Sequence, residues 1–331
     1  MVLLLSLCVV SNVLAEVKLH GFLLARTLAT NNNYTERIDR YGINLTNKVD
    51  DEFDWVTEIY IHPTEADARS RLYMETAYLN WHLGNRLPWD FNVRIGKGRN
   101  YCYGITPSYS SRRTSDYSLY SEAFTQLRVV GFQTFSNFGN VQLALALVNP
   151  YSLMSRPVPD FPLGKSLNIP ISDRDTDQSK IQRVGVSGRL GYKMKMLNMG
   201  ASFYMSETGP QDDNELNRYG LDGELKLDNG LLAQGQFTIA KTNGEDHNGG
   251  EFLAGWEKDK VGLYARYGVL TYDNGIGYDG SNRYDLNQTM LSVVYKIRPT
   301  IHFRLEGLIN GEESDVKCDN DVIFFETLFA W

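Results

Sequence analysis

Hydrophobic and polar residues alternate along most of the chain, and the alternation is clearest at its end. In segment 322–331, Phe325, Phe329 and Trp331 share one side of an extended strand, and Glu326 lies on the other. Successive side chains of a strand point to opposite faces of its sheet, and chain ends that fray in water are usually polar. We therefore expect the terminal strand to be held in a sheet whose aromatic outer face is shielded from water.

Sixteen segments of this kind follow one another along the chain. Tyrosine and glycine are frequent, with 20 and 29 residues, whereas there are only 10 prolines. Short alternating segments with this composition are typical of an all-β chain. The predicted strands are 17–27, 38–47, 53–62, 72–83, 91–96, 125–135, 141–148, 181–192, 197–205, 216–227, 231–239, 251–257, 261–271, 284–297, 300–310 and 322–331.

The connections between these segments alternate between short and long, which a soluble β-sandwich does not explain. Short turns at one end and long loops at the other are typical of outer-membrane barrels, which also have an even number of strands. Because lipid leaves no backbone group unpaired, the sheet must close on itself. The sequence predicts a transmembrane antiparallel β-barrel of about 16 strands, with short periplasmic turns and long extracellular loops. The predicted long loops are 28–37, 63–71, 97–124, 149–180, 206–215, 240–250, 272–283 and 311–321.

The N-terminal run MVLLLSLCVVSNVLA is the longest apolar stretch, and it is too short to cross a membrane as a helix. Val13 and Ala15 occupy the small-residue positions that precede a signal-peptidase cut. We expect residues 1–15 to be a cleaved signal peptide and residues 16–331 to form the barrel. A buried N-terminal strand or helix is the alternative interpretation.

Charge and cysteine content narrow the possible partners. The formal net charge is −7, which gives no reason to expect a nucleic-acid partner. The mature chain would keep Cys102 and Cys318, too few for a disulfide scaffold. Both fall in long loops at the same end of the predicted barrel, where they either pair or stay free. The five histidines show no metal-ligand spacing, and we expect no cofactor.

Four stretches of the chain carry a family resemblance. They read METAYLNWHL at 74–83, FNVRIGKGRNYCYG at 91–104, RVVGFQTFSNFGNVQLALALVNPY at 128–151 and NRYGLDGELKL at 217–227. The first three resemble the first half of the phosphate-selective porins of the O/P family, and the fourth is similar to their later strands. The resemblance implies a homotrimeric porin in the outer membrane of a Gram-negative bacterium, in contact with lipid and lipopolysaccharide.

The aromatic end of the chain also matches outer-membrane barrels as a class. In that class, aromatic residues on the last strand form the signal that the barrel-assembly machinery recognises. The resemblance therefore implies this role for Phe325, Phe329 and Trp331. Aromatic side chains also suit the interface between membrane and water.

A barrel of about 16 strands leaves a water-filled channel, so passive diffusion of small hydrophilic or anionic solutes is the leading function. The third long loop, 97–124, is the candidate constriction, because this loop typically folds into the lumen of sixteen-stranded porins. An inward loop with a basic excess concentrates anions. The alternative is a solvated surface loop whose arginines meet lipopolysaccharide phosphates. The candidate constriction residues are Lys97, Arg99, Tyr101, Tyr103, Arg112, Arg113 and Asp116.

Further basic residues fall on the lumenal faces of the predicted strands. With opposing carboxylates they would either line the pore with a transverse field or pair with neighbours and stiffen the wall. Carboxylates such as Asp222 and Glu306 depart from the family's lumenal arginines and lysines, and this departure argues against phosphate selectivity. Glu75 shares the parity of apolar residues, which the pattern does not explain. The pore-lining candidates are Arg94, Arg128, Arg183, Arg189, Arg218, Arg266 and Arg304.

Two other functions are alternatives to a channel. One is a barrel that sheathes or anchors a periplasmic or surface partner. The other is a barrel hydrolase, for which His62 with Glu65 and Asp67 is the one candidate group. The chain contains no G-x-S-x-G, H-E-x-x-H or P-loop motif, so we expect no enzymatic activity.

Overall fold

Sixteen antiparallel strands form one closed barrel in the computed structural model, which confirms the predicted fold class. The structure describes residues 17–29, 34–62, 71–84, 86–87, 89–105, 113–114, 117–125, 128–149, 152–159, 166–173, 184–207, 215–242, 245–273, 283–313 and 321–331. The strands are β1 (Lys18–Ala29), β2 (Tyr34–Lys48), β3 (Phe53–His62), β4 (Arg71–His82), β5 (Asp90–Arg99), β6 (Arg128–Phe138), β7 (Val141–Val148), β8 (Ser152–Pro159), β9 (Ser166–Asp173), β10 (Gly185–Lys193), β11 (Leu197–Glu207), β12 (Glu215–Lys226), β13 (Leu231–Thr242), β14 (Glu245–Lys258), β15 (Val261–Asp273), β16 (Arg283–Arg298), β17 (Ile301–Glu313) and β18 (Val322–Ala330).

The barrel wall follows the chain order with a single skip. β7 pairs with β10, and β8 pairs with β9 in a separate two-stranded sheet within the fourth long loop. The prolines of this loop rule out a regular helix but not an isolated hairpin. β9 lies beside a short helical turn, Ser121–Thr125, of the third long loop.

The outer surface of the barrel is apolar, as the alternation predicts. Leu143, Leu145 and Leu147 of β7 are exposed on the outside, whereas Ala146 between them is buried. An apolar outer band on a closed sheet is the surface that a lipid bilayer covers. No helix in the described ranges is long and apolar enough to cross a membrane.

Strand β18 closes the barrel by pairing with β1, from Phe22 opposite Ala330 to Ala29 opposite Ile323. The Gly21 amide donates to the Trp331 carbonyl at 3.0 Å, and the Trp331 amide donates to the Gly21 carbonyl at 2.9 Å. A Cβ atom at Gly21 would stand 2.3 Å from the Trp331 ring, so this close approach requires glycine. The aromatic chain end is therefore held in the sheet, with the Trp331 side chain 55% exposed.

Two predicted long loops are shorter in the structure. Strand β2 begins at Tyr34, and β13 and β14 continue to Thr242 and Glu245, so loops 28–37 and 240–250 shrink to residues 30–33 and 243–244. The start of β14 is polar on both faces, which reads as a loop in the sequence. Its backbone nevertheless pairs with β13, because hairpins remain hydrogen-bonded beyond the apolar band.

Candidate functional site

The third long loop, which joins β5 to β6, folds into the barrel and bonds to the opposite wall. Tyr103 shares a 2.9 Å hydrogen bond with Thr238 of β13. The Ile105 amide donates to the Gln236 side chain at 2.7 Å. Strand β13 is separated from β5 by five intervening strands in the sixteen-stranded wall, so the loop crosses the lumen. It therefore narrows the path through the barrel.

The helical turn of the loop is seated in an apolar cluster on the same wall. Tyr120 and Phe124 are buried with Leu216 of β12 and Leu270 of β15. The Arg218 guanidinium of β12 donates to the Phe124 carbonyl at 3.2 Å. Each buried aromatic or leucine side chain contributes roughly 1.5–3 kcal/mol, so this cluster holds the loop firmly against the wall.

The Thr238 hydroxyl forms hydrogen bonds with the hydroxyls of both Tyr103 and Tyr120, at oxygen–oxygen distances of 2.9 Å and 2.8 Å. A Thr238→Val substitution keeps the shape and removes that hydroxyl, so we expect the seating of the loop to weaken by about 1–3 kcal/mol. Amide hydrogen exchange within residues 100–125 will then be faster than in the wild type. Thr289→Val on the outer face of β16 is the control. Equal exchange in the two variants would contradict this account of the loop.

Cys102 is fully buried in the same apolar cluster. Burial raises the pKa of its thiol to about 12, so the thiol stays protonated and unreactive at neutral pH. We expect Cys102 in a Cys318→Ser variant to react with a maleimide only after unfolding. Rapid labelling of the folded protein would contradict the buried position. Cys318 lies outside the described residues, and its pairing stays an open prediction.

Arg113 is bound by the acidic wall behind the loop. Its Nη1 donates to Glu224 at 2.7 Å and to Gln234 at 3.0 Å, and its Nε donates to Glu257 at 3.3 Å. Burial by itself lowers the pKa of Arg113, but the hydrogen bond and charges of Glu224 and Glu257 raise it further, so the net shift is upward. Two carboxylates thus balance the charge of Arg113. Arg112 and Asp116 lie outside the described residues.

Several other predicted pore arginines also have carboxylate partners. Arg189 donates through Nε to Asp222 at 3.0 Å. Arg304 donates to Glu326, and Arg128 donates to Glu75. These contacts match the interpretation in which wall charges pair with neighbours.

The pairing of Arg128 also explains Glu75. Strands β3 and β4 shift register opposite Glu58 and Ile59, so Thr76 and Met74 are paired while Glu75 between them is extra. A β-bulge of this kind reorients a side chain, and Glu75 is 4% exposed. The bulge therefore explains why Glu75 alternates in step with the apolar residues of β4 in the sequence.

The remaining predicted residues make polar contacts with the loop or the wall. Arg266 donates to Thr114 of the loop at 3.0 Å and to Gln288 at 2.9 Å. Lys97 donates to the Met74 carbonyl, and the Arg99 carbonyl accepts from Gln133 at 3.0 Å. Arg183 and the hydrolase candidates Glu65 and Asp67 lie outside the described residues, as does the side chain of His62.

Arg94 has different surroundings from Arg113, Arg128, Arg189 and Arg304, which each contact a carboxylate. Its guanidinium carbon lies 4.0 Å from the ring centroid of Tyr78, 4.7 Å from that of Tyr101 and 5.3 Å from that of Phe135. Its Nε donates to Asn80 at 3.0 Å. Its contacts with described residues include no carboxylate, so its charge is stabilised by aromatic faces instead of a counter-ion.

Arg26 and Arg40 are two buried arginines that the sequence interpretation missed. Arg26 donates through Nη2 to Glu326 at 3.0 Å, and Arg40 lies 5.7 Å from the ring centroid of Tyr60. Both lie on the polar face of their predicted strands, 17–27 and 38–47, and this position could have identified them as lumenal residues. Among the described residues, no group of three or more His, Cys, Asp or Glu side chains could hold a metal ion.

No protein-family profile matches the chain, and no curated protein matches its sequence. Solved structures do match the fold. The outer membrane channel DcaP of Acinetobacter baumannii has a TM-score of 0.68 at 11% identity, covering 96% of this chain and 97% of DcaP. An anion-selective porin from Comamonas acidovorans has a TM-score of 0.61 at 11% identity, covering 96% and 99%. A trimer form of OmpT, an outer membrane protein of Vibrio cholerae, has a TM-score of 0.59 at 13% identity, covering 96% and 99%.

These likenesses extend over almost the whole of each chain. Identities of 11% to 13% are low, so the likeness shows the fold and not the solute. The chain has the sixteen-stranded barrel fold of bacterial outer-membrane porins.

Proposed function

We propose that this protein is an outer-membrane porin through which small hydrophilic solutes and ions diffuse passively. The observation that carries the proposal is the third long loop, which crosses the lumen and bonds to Gln236 and Thr238 of β13. A loop fixed inside a sixteen-stranded barrel narrows a channel without requiring any chemistry on the solute. We therefore propose that the protein is a channel and not an enzyme.

A mild preference for anions is the finer part of the proposal. Six arginines and five carboxylates are buried among the described charged side chains, and Arg94 adds a cation that contacts no carboxylate of a described residue. Lumenal cations raise the local concentration of anions. The likeness to an anion-selective porin supports this preference. The narrower assignment to the phosphate-selective O/P family rests on the quoted motifs alone.

Location and assembly complete the proposal. The apolar outer face suits the bacterial outer membrane, with lipid and lipopolysaccharide around it. A homotrimer is proposed from the family resemblance and from the likeness to the trimer form of OmpT.

Cleavage of residues 1–15 would leave Glu16 as the N-terminal residue of the mature protein. Mass spectrometry of the exported protein measures this directly. Recognition of Phe325, Phe329 and Trp331 by the barrel-assembly machinery is proposed on the same grounds.

Swelling of proteoliposomes tests the proposed function. Liposomes that contain the refolded protein will swell in isotonic solutions of small sugars, at a rate that falls steeply as the sugar becomes larger. Size dependence is expected because the inward loop narrows the lumen. Heat-modifiable migration on gels establishes that the protein is folded. Folded protein that gives no swelling would overturn the channel and support a barrel that sheathes or anchors a partner.

A further inference from the structure

A chain of polar side chains crosses three neighbouring strands near the short-turn end of the barrel. His82, the last residue of β4, contacts Asp54 of β3 through Nε2 at 2.5 Å and Asn92 of β5 through Nδ1 at 2.6 Å. Asn80 of β4 donates to the other Asp54 oxygen at 2.7 Å. The Arg94 guanidinium then donates to Asn80 at 3.0 Å. His82 is thus linked through two side chains to Arg94, a predicted pore arginine whose contacts with the described residues include no carboxylate.

The partners of His82 determine its protonation state. Asn92 donates its amide hydrogen to Asp90 at 2.7 Å, so its oxygen faces His82 and needs a donor at Nδ1. The Asp54 carboxylate is an acceptor and needs a donor at Nε2. Both ring nitrogens carry a proton only in the imidazolium form. With Asp54 ionised, the network therefore requires a positively charged His82.

His82 faces the lumen. It has the same parity as Tyr78 and Asn80, whereas Leu79 between them is exposed on the outside. Its side chain is 41% exposed and adjoins a cavity of about 330 Å³, which Val56 and Thr46 also line. Charge at His82 is therefore in contact with water at the mouth of the proposed channel.

The charged groups around His82 nearly cancel. Asp54 and Asp90 face it from β3 and β5, and Lys18, Lys48 and Asp50 line the same cavity. In the adjoining turns, Asp51 pairs with Lys48, and Glu52 pairs with Arg86. With His82 protonated, the five cations of this group balance its five carboxylates, and without the His82 proton the group carries one net negative charge. The cations are Lys18, Lys48, His82, Arg86 and Arg94, and the carboxylates are Asp50, Asp51, Glu52, Asp54 and Asp90.

We propose that the charge of His82 makes the ion selectivity of the short-turn mouth depend on pH. The inference rests on the proposed channel function. A histidine loses its proton near neutral pH. As pH rises, His82 can then donate only one of its two hydrogen bonds, and the Asp54 carboxylate is left uncompensated. Preference for anions at the mouth will fall as the pH rises, because one more negative charge faces the path.

Reversal potentials in a planar bilayer with a KCl gradient test the proposal. Between about pH 5.5 and about pH 8.5, the chloride-to-potassium permeability ratio of the wild type will fall about twofold. A unit charge roughly 10 Å from the path, screened by salt with a Debye length of about 10 Å, shifts chloride and potassium in opposite directions and so changes their ratio about twofold. His82→Gln will show a low ratio that changes much less over this range. His82→Lys will hold a high ratio throughout.

A second histidine at the same end provides the matched control. His302 bonds to the Pro299 carbonyl at 2.9 Å instead of to a carboxylate, so His302→Gln will keep the pH dependence of the wild type. Equal pH dependence in the wild type and His82→Gln would overturn the role of His82. Absence of current steps in folded protein would instead overturn the channel itself. NMR titration of the His82 ring in the wild type checks the imidazolium independently of any variant, and a neutral ring at about pH 5.5 would also overturn the proposal.

Discussion

Glu326→Ala will destabilise the folded barrel by about 3–5 kcal/mol, the usual cost of removing one partner of a buried ion pair. Glu326 is 1% exposed on β18, and it accepts hydrogen bonds from Arg26 of β1 and Arg304 of β17. The substitution leaves two buried guanidiniums without this carboxylate at the seam where the barrel closes. Urea unfolding in micelles, followed by loss of heat-modifiable migration, measures the change.

The control for this prediction is an exposed ion pair. Glu52 binds Arg86 in the turns at 2.7 Å, with side chains 27% and 62% exposed. Glu52→Ala will cost less than about 1 kcal/mol, because exposed pairs contribute little. If Glu326→Ala and Glu52→Ala proved equally mild, the seam would not depend on the charges of Arg26, Glu326 and Arg304.

Arg94→Gln will reduce the chloride-to-potassium permeability ratio at least about twofold, whereas Arg113→Gln will change it less. Arg94 is surrounded by Tyr78, Tyr101 and Phe135, so its full charge is available to ions in the lumen. The charge of Arg113 is balanced by Glu224 and Glu257. A unit charge roughly 10 Å from the path, screened by salt, shifts chloride and potassium in opposite directions and so changes their ratio about twofold. Reversal potentials in a KCl gradient measure both variants.

The same pair of variants separates selectivity from loop position. Arg113→Gln removes a contact between the loop and β12, so it will increase current noise more than Arg94→Gln does. The opposite ranking of permeability ratios, with Arg113→Gln giving the larger fall, would show that the loop arginine is the filter. It would also contradict the compensation of Arg113 by Glu224.

The barrel could be predicted from the sequence because its cause is local. Alternation of side chains along each strand depends only on neighbouring residues, and lipid outside the barrel makes that alternation strong. Loop contacts depend on distant partners instead. Arg113 meets Glu224, 111 residues away, and no spacing rule connects them. The sequence therefore identified a basic loop without showing that the charge of Arg113 is balanced.

Backbone irregularities also could not be predicted from the alternation. A single bulge at Glu75 reverses the parity on which every facing assignment depends. The β8–β9 hairpin was missed because Pro157, Pro159 and Pro170 indicate breaks, although prolines are tolerated in edge strands. Local polarity can mark such positions, but it does not show whether the backbone is paired there.

Current through the refolded protein in a planar bilayer, with a KCl gradient across it, tests the central claim most directly. The account predicts steady unitary steps and a reversal potential on the anion side, which Arg94→Gln moves toward the cation side. Heat-modifiable protein that inserts into the bilayer and gives no steps would contradict the channel. Such a result would favour a barrel that holds a partner over one that passes solutes.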